Sequence, residues 1–257
     1  MLGPPGPEGS TPTPMALPMG SPSSQLPFEY HGQRLMALAG RAVYWPAREA
    51  LLVADTHFGK DAAFRHAGIP VSSESLASDL RRLEELLGQT GAARLIVLGD
   101  FLHAETGRTE AAMEALAAWR GRWRGLECLL VRGNHDLEAG DPPADWGFRC
   151  EDEPFALGPF ALRHHPLGRD ALDAGAPVLA GHLHPGVTLT GPGRDRLRAP
   201  CFWMMPRQLI LPSFGSFTGC GPVEAREGDR VFVTCEGQIV EPAARIARLR
   251  RRLRESL

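Results

Sequence analysis

The sequence predicts an α/β fold whose chemistry lies where strands end. Three observations carry that expectation. Short apolar runs alternate with helical patterns from Arg34 onward, five polar motifs each follow such a run, and the pattern turns β-rich past residue 186. In βα architectures the loops beyond strand C-termini hold the reactive groups, because neighbouring strands end on one sheet edge.

The elements follow in order. Residues 1–27 are rich in Pro, Gly, Ser and Thr and offer little to bury, so a disordered tail is expected there. The folded domain is expected over 28–242. Leu51–Ala54 reads as a buried strand that ends at Asp55. Ser72 or Ser73 can cap a helix with Glu74 in its first turn, and Leu76, Leu80, Leu83 and Leu87 recur at helical spacing. Leu95–Leu98 is the next strand, Glu110 to Trp119 the next helix, and Leu126–Val131 the third strand. Phe160–Arg163 leads into His164, and Val178–Ala180 leads into Gly181. Val187–Thr190, Leu209–Leu211 and Val231–Thr234 continue the β-rich part, with Trp203, Met204 and Met205 as a further buried strand. Residues 243–257 read as an arginine-rich helical segment.

Composition limits the function classes. The 257 residues can bury a substantial core, and a net charge of −2 neither favours nor excludes a nucleic-acid partner. Lys60 is the only lysine, and six arginines fall in the last fifteen residues. That run can serve as a phosphate-backbone footprint, as a partner-docking patch or simply as a solvated helix face. Five dispersed cysteines without a CxxC pair point to reduced thiols and argue against a disulfide framework or a structural zinc site. No apolar run approaches the ~20 residues that span a bilayer. The first residues lack a secretory pattern, so the cytoplasm is the expected compartment and no membrane partner is expected.

Seven of the nine histidines gather in the five motifs. These are Asp55-Thr56-His57, Gly99-Asp100-Phe101-Leu102-His103, Gly133-Asn134-His135-Asp136, His164-His165 and Gly181-His182-Leu183-His184. Imidazole, carboxylate and amide oxygen together suit borderline divalent metals such as Mn, Fe(II) and Zn, and the set is large enough for two coordination spheres. Asp55 and His57 can face one ion if the chain leaves the strand there. Asp100 follows a glycine that permits a tight turn, and one carboxylate can bridge two cations. Asn134 offers a neutral oxygen and leaves His135 free for proton transfer. Asp136 is read as a partner that orients an imidazole, in preference to a ligand. His182 and His184, two apart in an extended segment, share a face and can address different ions. Of the adjacent His164 and His165, one is expected to ligate. Lys60 is a candidate contact to a substrate phosphate and equally a surface lysine.

This order of motifs resembles the calcineurin-like metallophosphoesterase superfamily over residues 50–185. Ala54-Asp55-Thr56-His57-Phe58-Gly59-Lys60, Gly68-Ile69-Pro70, Gly181-His182-Leu183-His184-Pro185, Ala199-Pro200-Cys201-Phe202 and Leu211-Pro212-Ser213-Phe214-Gly215 narrow it. They look like the bacterial DNA-ligase-associated (PdeM-like) family over roughly residues 34 to 240. The resemblance implies a four-layer αββα sandwich, two mixed sheets flanked by helices, with a dinuclear site at the strand ends. It implies that Asp55, His57, Asp100 and His184 hold the first ion, and Asp100, Asn134, His164 and His182 the second. It further implies that His135 is the general acid, that His103 supports it, and that two divalent ions, Mn before Fe or Zn, carry a bridging hydroxide. Many superfamily members have His-Gly where this chain has His164-His165, which leaves His165 without a role.

The function so implied is a metal-dependent phosphodiesterase or nuclease. Its expected substrate is DNA or a nucleotide diester, and its expected partners in repair are an ATP-dependent DNA ligase and a helicase. A small-molecule phosphoesterase, acting on cyclic nucleotides or phospholipid-precursor diesters, is the second reading, because such a core sees only phosphorus and its oxygens. A non-catalytic scaffold of the same fold, as in a retromer subunit, is the third, and the complete ligand set argues against it. Specificity is expected in loops 58–72, 104–109, 137–150 and 192–208.

Overall fold

The computed structural model describes residues 23–172, 175–190 and 196–242. The first of its two sheets has seven strands, which lie side by side in chain order. They are β1 (Gln25–Tyr30), β2 (Gln33–Leu38), β3 (Ala42–Trp45), β4 (Ala50–Val53), β5 (Arg94–Leu98), β6 (Glu127–Val131) and β7 (Phe148–Glu151). The strands from β1 to β4 pair antiparallel, whereas those from β4 to β7 pair parallel. Parallel neighbours need crossovers, and these hold α1 (Lys60–His66), α2 (Glu74–Thr90), α3 (Glu110–Arg122) and α4 (Asn134–Ala139).

The leucine spacing of α2 does what it predicts. Leu76, Leu80, Leu83, Leu86 and Leu87 are buried, and the Ser72 hydroxyl accepts from the Glu74 amide at 3.2 Å. Together with Ala112, Leu116 and Trp119 of α3 they pack on Leu51, Val53, Leu95, Val97 and Leu130. Alternate residues of the same strands, Leu52, Ile96, Leu98, Leu129 and Val131, face the second sheet. Both faces of these strands are buried, so they read as unbroken apolar runs. Truncating a buried leucine such as Leu83 to alanine is expected to cost about 2–5 kcal/mol.

The second sheet takes β8 (Phe155–Leu157), β9 (Phe160–Leu162), β10 (Val178–Ala180), β11 (Pro185–Thr190), β12 (Arg196–Met205), β13 (Gln208–Ile210), β14 (Gly221–Pro222), β15 (Arg230–Cys235) and β16 (Gln238–Val240). Its order is β14-β11-β12-β13-β10-β9-β8, with β15 on β12 and β16 on β15. β10 is parallel to both β9 and β13, so the three end on one edge. Phe160, Leu162, Leu179, Phe202, Met204, Leu209 and Phe232 close the core between the sheets. On the other face Cys201, Trp203, Met205, Ile210, Val231 and Val233 form a third cluster with Leu172.

Two boundaries move. β1 starts at Gln25 and Ser23 bridges to Ile239, so the fold begins inside the stretch assigned to the tail. The reason is the alternation that buries Phe28 and Tyr30, which the polar composition upstream conceals. The loop expected over 192–208 is mostly β12, whose last residues are core. The remainder of the expected tail, residues 1–22, and the arginine-rich 243–257 lie outside the described residues. Among the described residues no helix is long and apolar enough to cross a membrane.

Candidate metal centre

Backbone hydrogen bonds carry the strand ends into the site. The Asp55 amide donates to the Gly99 carbonyl at 3.1 Å, His57 to Asp100 at 2.8 Å and Phe58 to Phe101 at 3.0 Å. The Gly181 amide donates to His164 at 3.1 Å, which ties the two second-sheet loops together. The Phe214 and Gly215 amides donate to the Ala54 and Asp55 carbonyls at 2.8 and 3.1 Å, and the Ser213 hydroxyl donates to Asp55 at 2.9 Å. The Leu211–Gly215 motif therefore braces the first loop from the second sheet.

The backbone is strained where the donors sit. Among the described residues nine besides glycine have positive φ, and five of them are Asp55 (54°), His57 (45°), Asp100 (55°), His182 (70°) and His184 (45°). Such conformations cost of order 1–3 kcal/mol each and persist where function or packing holds them. They turn each chain sharply out of its strand, so His182 and His184 do not share the face of an extended segment. Their rings part because the backbone between them is coiled. Glycine precedes the donors because there is no room for more. A Cβ on Gly99 would lie 2.1 Å from His164 Nδ1, and one on Gly133 would lie 2.3 Å from Asp100 Oδ1.

The donors gather in two halves that share Asp100. In the first, Asp55 Oδ1 lies 3.3 Å from His184 Nε2, while His57 Nε2 lies 3.4 Å from His184 Nε2 and 3.7 Å from Asp100 Oδ2. In the second, His164 Nε2 lies 3.0 Å from Asn134 Oδ1, 3.0 Å from His182 Nδ1 and 3.5 Å from Asp100 Oδ1. The two Asp100 oxygens thus face opposite halves. His164 Nδ1 lies 3.1 Å from the Leu98 carbonyl, which can only accept, so the proton is on Nδ1 and the lone pair on Nε2.

Electrostatics show what the arrangement needs. Burial foremost, and then Asp55, push the Asp100 carboxyl up to about 8. Burial holds His164 down at about 4 and His57 lower still, so both rings are neutral at pH 7 and can offer a lone pair to a cation. Asp55 Oδ1 is buried and has no hydrogen-bond partner. A buried carboxylate oxygen left alone beside imidazole lone pairs is strongly unfavourable, and a cation between them removes the conflict. The residues therefore fit two divalent ions held by nitrogen and oxygen donors.

Other residues of the motifs surround these donors, and one reading is corrected. His135 Nδ1 donates to the His103 carbonyl at 2.7 Å, which leaves Nε2 free at the site. The His103 ring stacks on His135 with centroids 4.8 Å apart, and its Nδ1 lies 3.4 Å from His57 Nδ1. Lys60 opens α1 and is partly buried, with its charge acting on His57 and His103 and drawn by Asp100 and Asp55. Asp136 does not orient an imidazole. Its oxygens accept from the amides of Asp100 (2.7 Å), Phe101 (2.9 Å), Leu102 (3.3 Å) and Gly133 (2.9 Å), so it fixes the backbone of two loops. Sequence reasoning missed Glu153, which accepts from the His164 and His165 amides at 2.8 and 2.9 Å. No local pattern marks it, because its partners lie beyond the whole β8–β9 hairpin.

Comparison with known proteins agrees with this geometry. The sequence profile of the calcineurin-like phosphoesterases matches residues 50–174. The crystal structure of the Pseudomonas putida nuclease MPE is similar at 42% identity and a TM-score of 0.70, covering 82% of this chain and 96% of that one. Yfce, a phosphoesterase from E. coli, is similar at 19% identity and a TM-score of 0.36, covering 72% of this chain and 86% of that one. Among curated proteins none matches. With two mixed sheets, a site for two divalent ions and this likeness over nearly the whole of a solved relative, the chain belongs to the calcineurin-like phosphoesterase family, as a metal-dependent phosphoester hydrolase.

Proposed function

We propose that the chain is a manganese-dependent nuclease that cleaves phosphodiester bonds in DNA, working in the cytoplasm with an ATP-dependent DNA ligase and a helicase in repair. The observation that carries phosphoester hydrolysis is the bridging position of Asp100, with one oxygen toward each set of donors. Similarity to the Pseudomonas nuclease supports the nuclease reading, because it extends over 96% of that chain. The resemblance of the motifs to the ligase-associated family supports the repair partners. Manganese suits the mixed carboxylate, imidazole and amide donors, a set that Fe or Zn also fits.

When bound, the two ions supply an activated water at neutral pH and neutralise charge on the phosphoryl oxygens. The chain does the rest. Asp55, His57, Asp100 and His184 hold one ion and Asp100, Asn134, His164 and His182 the other. His135, with its Nδ1 proton fixed on the His103 carbonyl, presents Nε2 to hold the proton that the leaving oxygen takes. His103 keeps that ring and His57 in place. Lys60, at the start of α1, adds a positive charge that acts on the first half and attracts a substrate phosphate.

The test is a panel in Mn²⁺ of a chromogenic diester, a monoester, cyclic nucleotides, and single- and double-stranded DNA, with Asp100→Ala as control. DNA cleavage at a kcat/KM well above that for small esters is expected, and it is expected to vanish in the control. Preference for a cyclic nucleotide or small diester would overturn the nuclease reading in favour of a small-molecule phosphoesterase.

A further inference from the structure

His165 is the one motif histidine that the reading above leaves idle, and Glu153 is the carboxylate that addresses it. Glu153 Oε1 lies 2.9 Å from His165 Nδ1, while Oε2 takes the amides of His164 and His165. Arg163 stands 3.6 Å from Oε1. With two amides and a guanidinium directed at it, Glu153 meets the ring as an acceptor, so His165 carries its proton on Nδ1 and its lone pair on Nε2. That is the arrangement His164 has with the Leu98 carbonyl, and it is how proteins commonly prepare a histidine to bind metal.

The ring is also in the right place. Its centroid lies 4.4 Å from that of His182 and 4.7 Å from that of His164. One donor atom from each of His164, His165 and His182 can be chosen so that all three lie within 4.8 Å of one another, close to the span of one ion's ligand shell. The side chain is 43% exposed, so it approaches the second half from the solvent side.

We propose that His165 is a further ligand of the second ion, held in its ligating form by Glu153. This rests on the dinuclear reading above. The second ion then has one protein donor more than the first, so the two sites differ in affinity, and the first keeps more room for a substrate oxygen.

Metal-free protein titrated with Mn²⁺ in a calorimeter tests the assignment without reference to turnover. The unaltered chain is expected to take up two ions. H165A and E153Q are each expected to weaken one of the two steps by about 10–100-fold and to leave the other unchanged. In parallel, the Co²⁺ visible bands of the weakened site should intensify in H165A, as they do when an octahedral ion loses a ligand. Because H165A leaves the Glu153 bonds to both amides intact, a thermal melt near that of the parent is expected and separates ligand loss from misfolding. Two unchanged steps in H165A would overturn the proposal and leave His165 as a pocket wall. Uptake of a single ion by the parent chain would instead remove the dinuclear reading itself.

Discussion

The donors on the first sheet and those on the second are held by different means. Asp55, His57 and Asp100 are at most 4% exposed, and their loops continue the parallel ladder through backbone bonds. Asp136, buried beneath them, takes four amides of the loops that carry Asp100 and Asn134. On the second sheet His164 is buried, whereas His165, His182 and His184 are partly open. Carboxylates hold these turns: Glu153 takes the amides of His164 and His165, and Asp55 Oδ2 takes that of His182 at 2.8 Å. The difference teaches that ladder bonds and one buried carboxylate set the first-sheet donors, whereas the second-sheet turns take their order from Glu153 and Asp55, carboxylates that also face imidazoles of the site.

The largest effect should come from Asp100, which turns one oxygen toward each half. In Asp100→Ala both ions are expected to bind more weakly and turnover to fall by about 10³-fold or more, since several kcal/mol of charge stabilisation is lost at 1.36 kcal/mol per tenfold. Retention of either ion at full affinity, measured by metal analysis after dialysis, would show that the carboxylate serves one half alone. Next comes His135→Ala, for which kcat is expected to drop by about 10²–10⁴-fold while both ions stay bound. Loss of an ion would make His135 a ligand and redraw the boundary of the first half.

Stability separates the halves more directly. Asp136→Ala strands four amide donors in a dry loop and is expected to cost about 4 kcal/mol or more in urea unfolding, at about 1–3 kcal/mol for each buried group that water does not reach. Glu153→Ala strands two amides, of buried His164 and part-open His165, so a smaller loss of about 2–3 kcal/mol is expected. Equal losses would mean that the loops of the two sheets are held equally firmly.

The smallest effect is expected at Asp229, which braces the outer face of the second sheet through Arg169, the Arg226 amide and Trp203 Nε1. Burial opposes its charge, but Arg169 foremost among these partners outweighs it and keeps the carboxyl below its usual value. A lowered folded pKa adds stability above the ordinary carboxylate range near 3.9, and that stability is lost as pH falls through the folded value. In Asp229→Asn the acid limb of the stability curve should flatten, with metal affinity unaltered. A parallel loss of metal would connect the outer face to the second half.

Much of the site was legible because its chemistry is written locally. A glycine, a carboxylate or amide and a histidine at the end of an apolar run announce a strand that stops and a chain that turns. The long leucine period of α2 was equally plain. α1 and α4 were not, since seven and six residues are too few to display a helical period. Asp136 was misread for a different reason. Its nearest relation in the sequence is His135, but its hydrogen bonds run mainly to residues 34 to 36 positions away.

By itself the sequence determined which residues can be donors, which strands deliver them, and the family to which the chain belongs. These are matters of spacing and residue type, which the chain carries at every point along its length. Tertiary structure alone decided which Asp100 oxygen faces which half, which ring nitrogen keeps its proton, and that Glu153 and not Asp136 orients an imidazole. Those choices depend on through-space partners and on burial, which exist only when the two sheets close on one another.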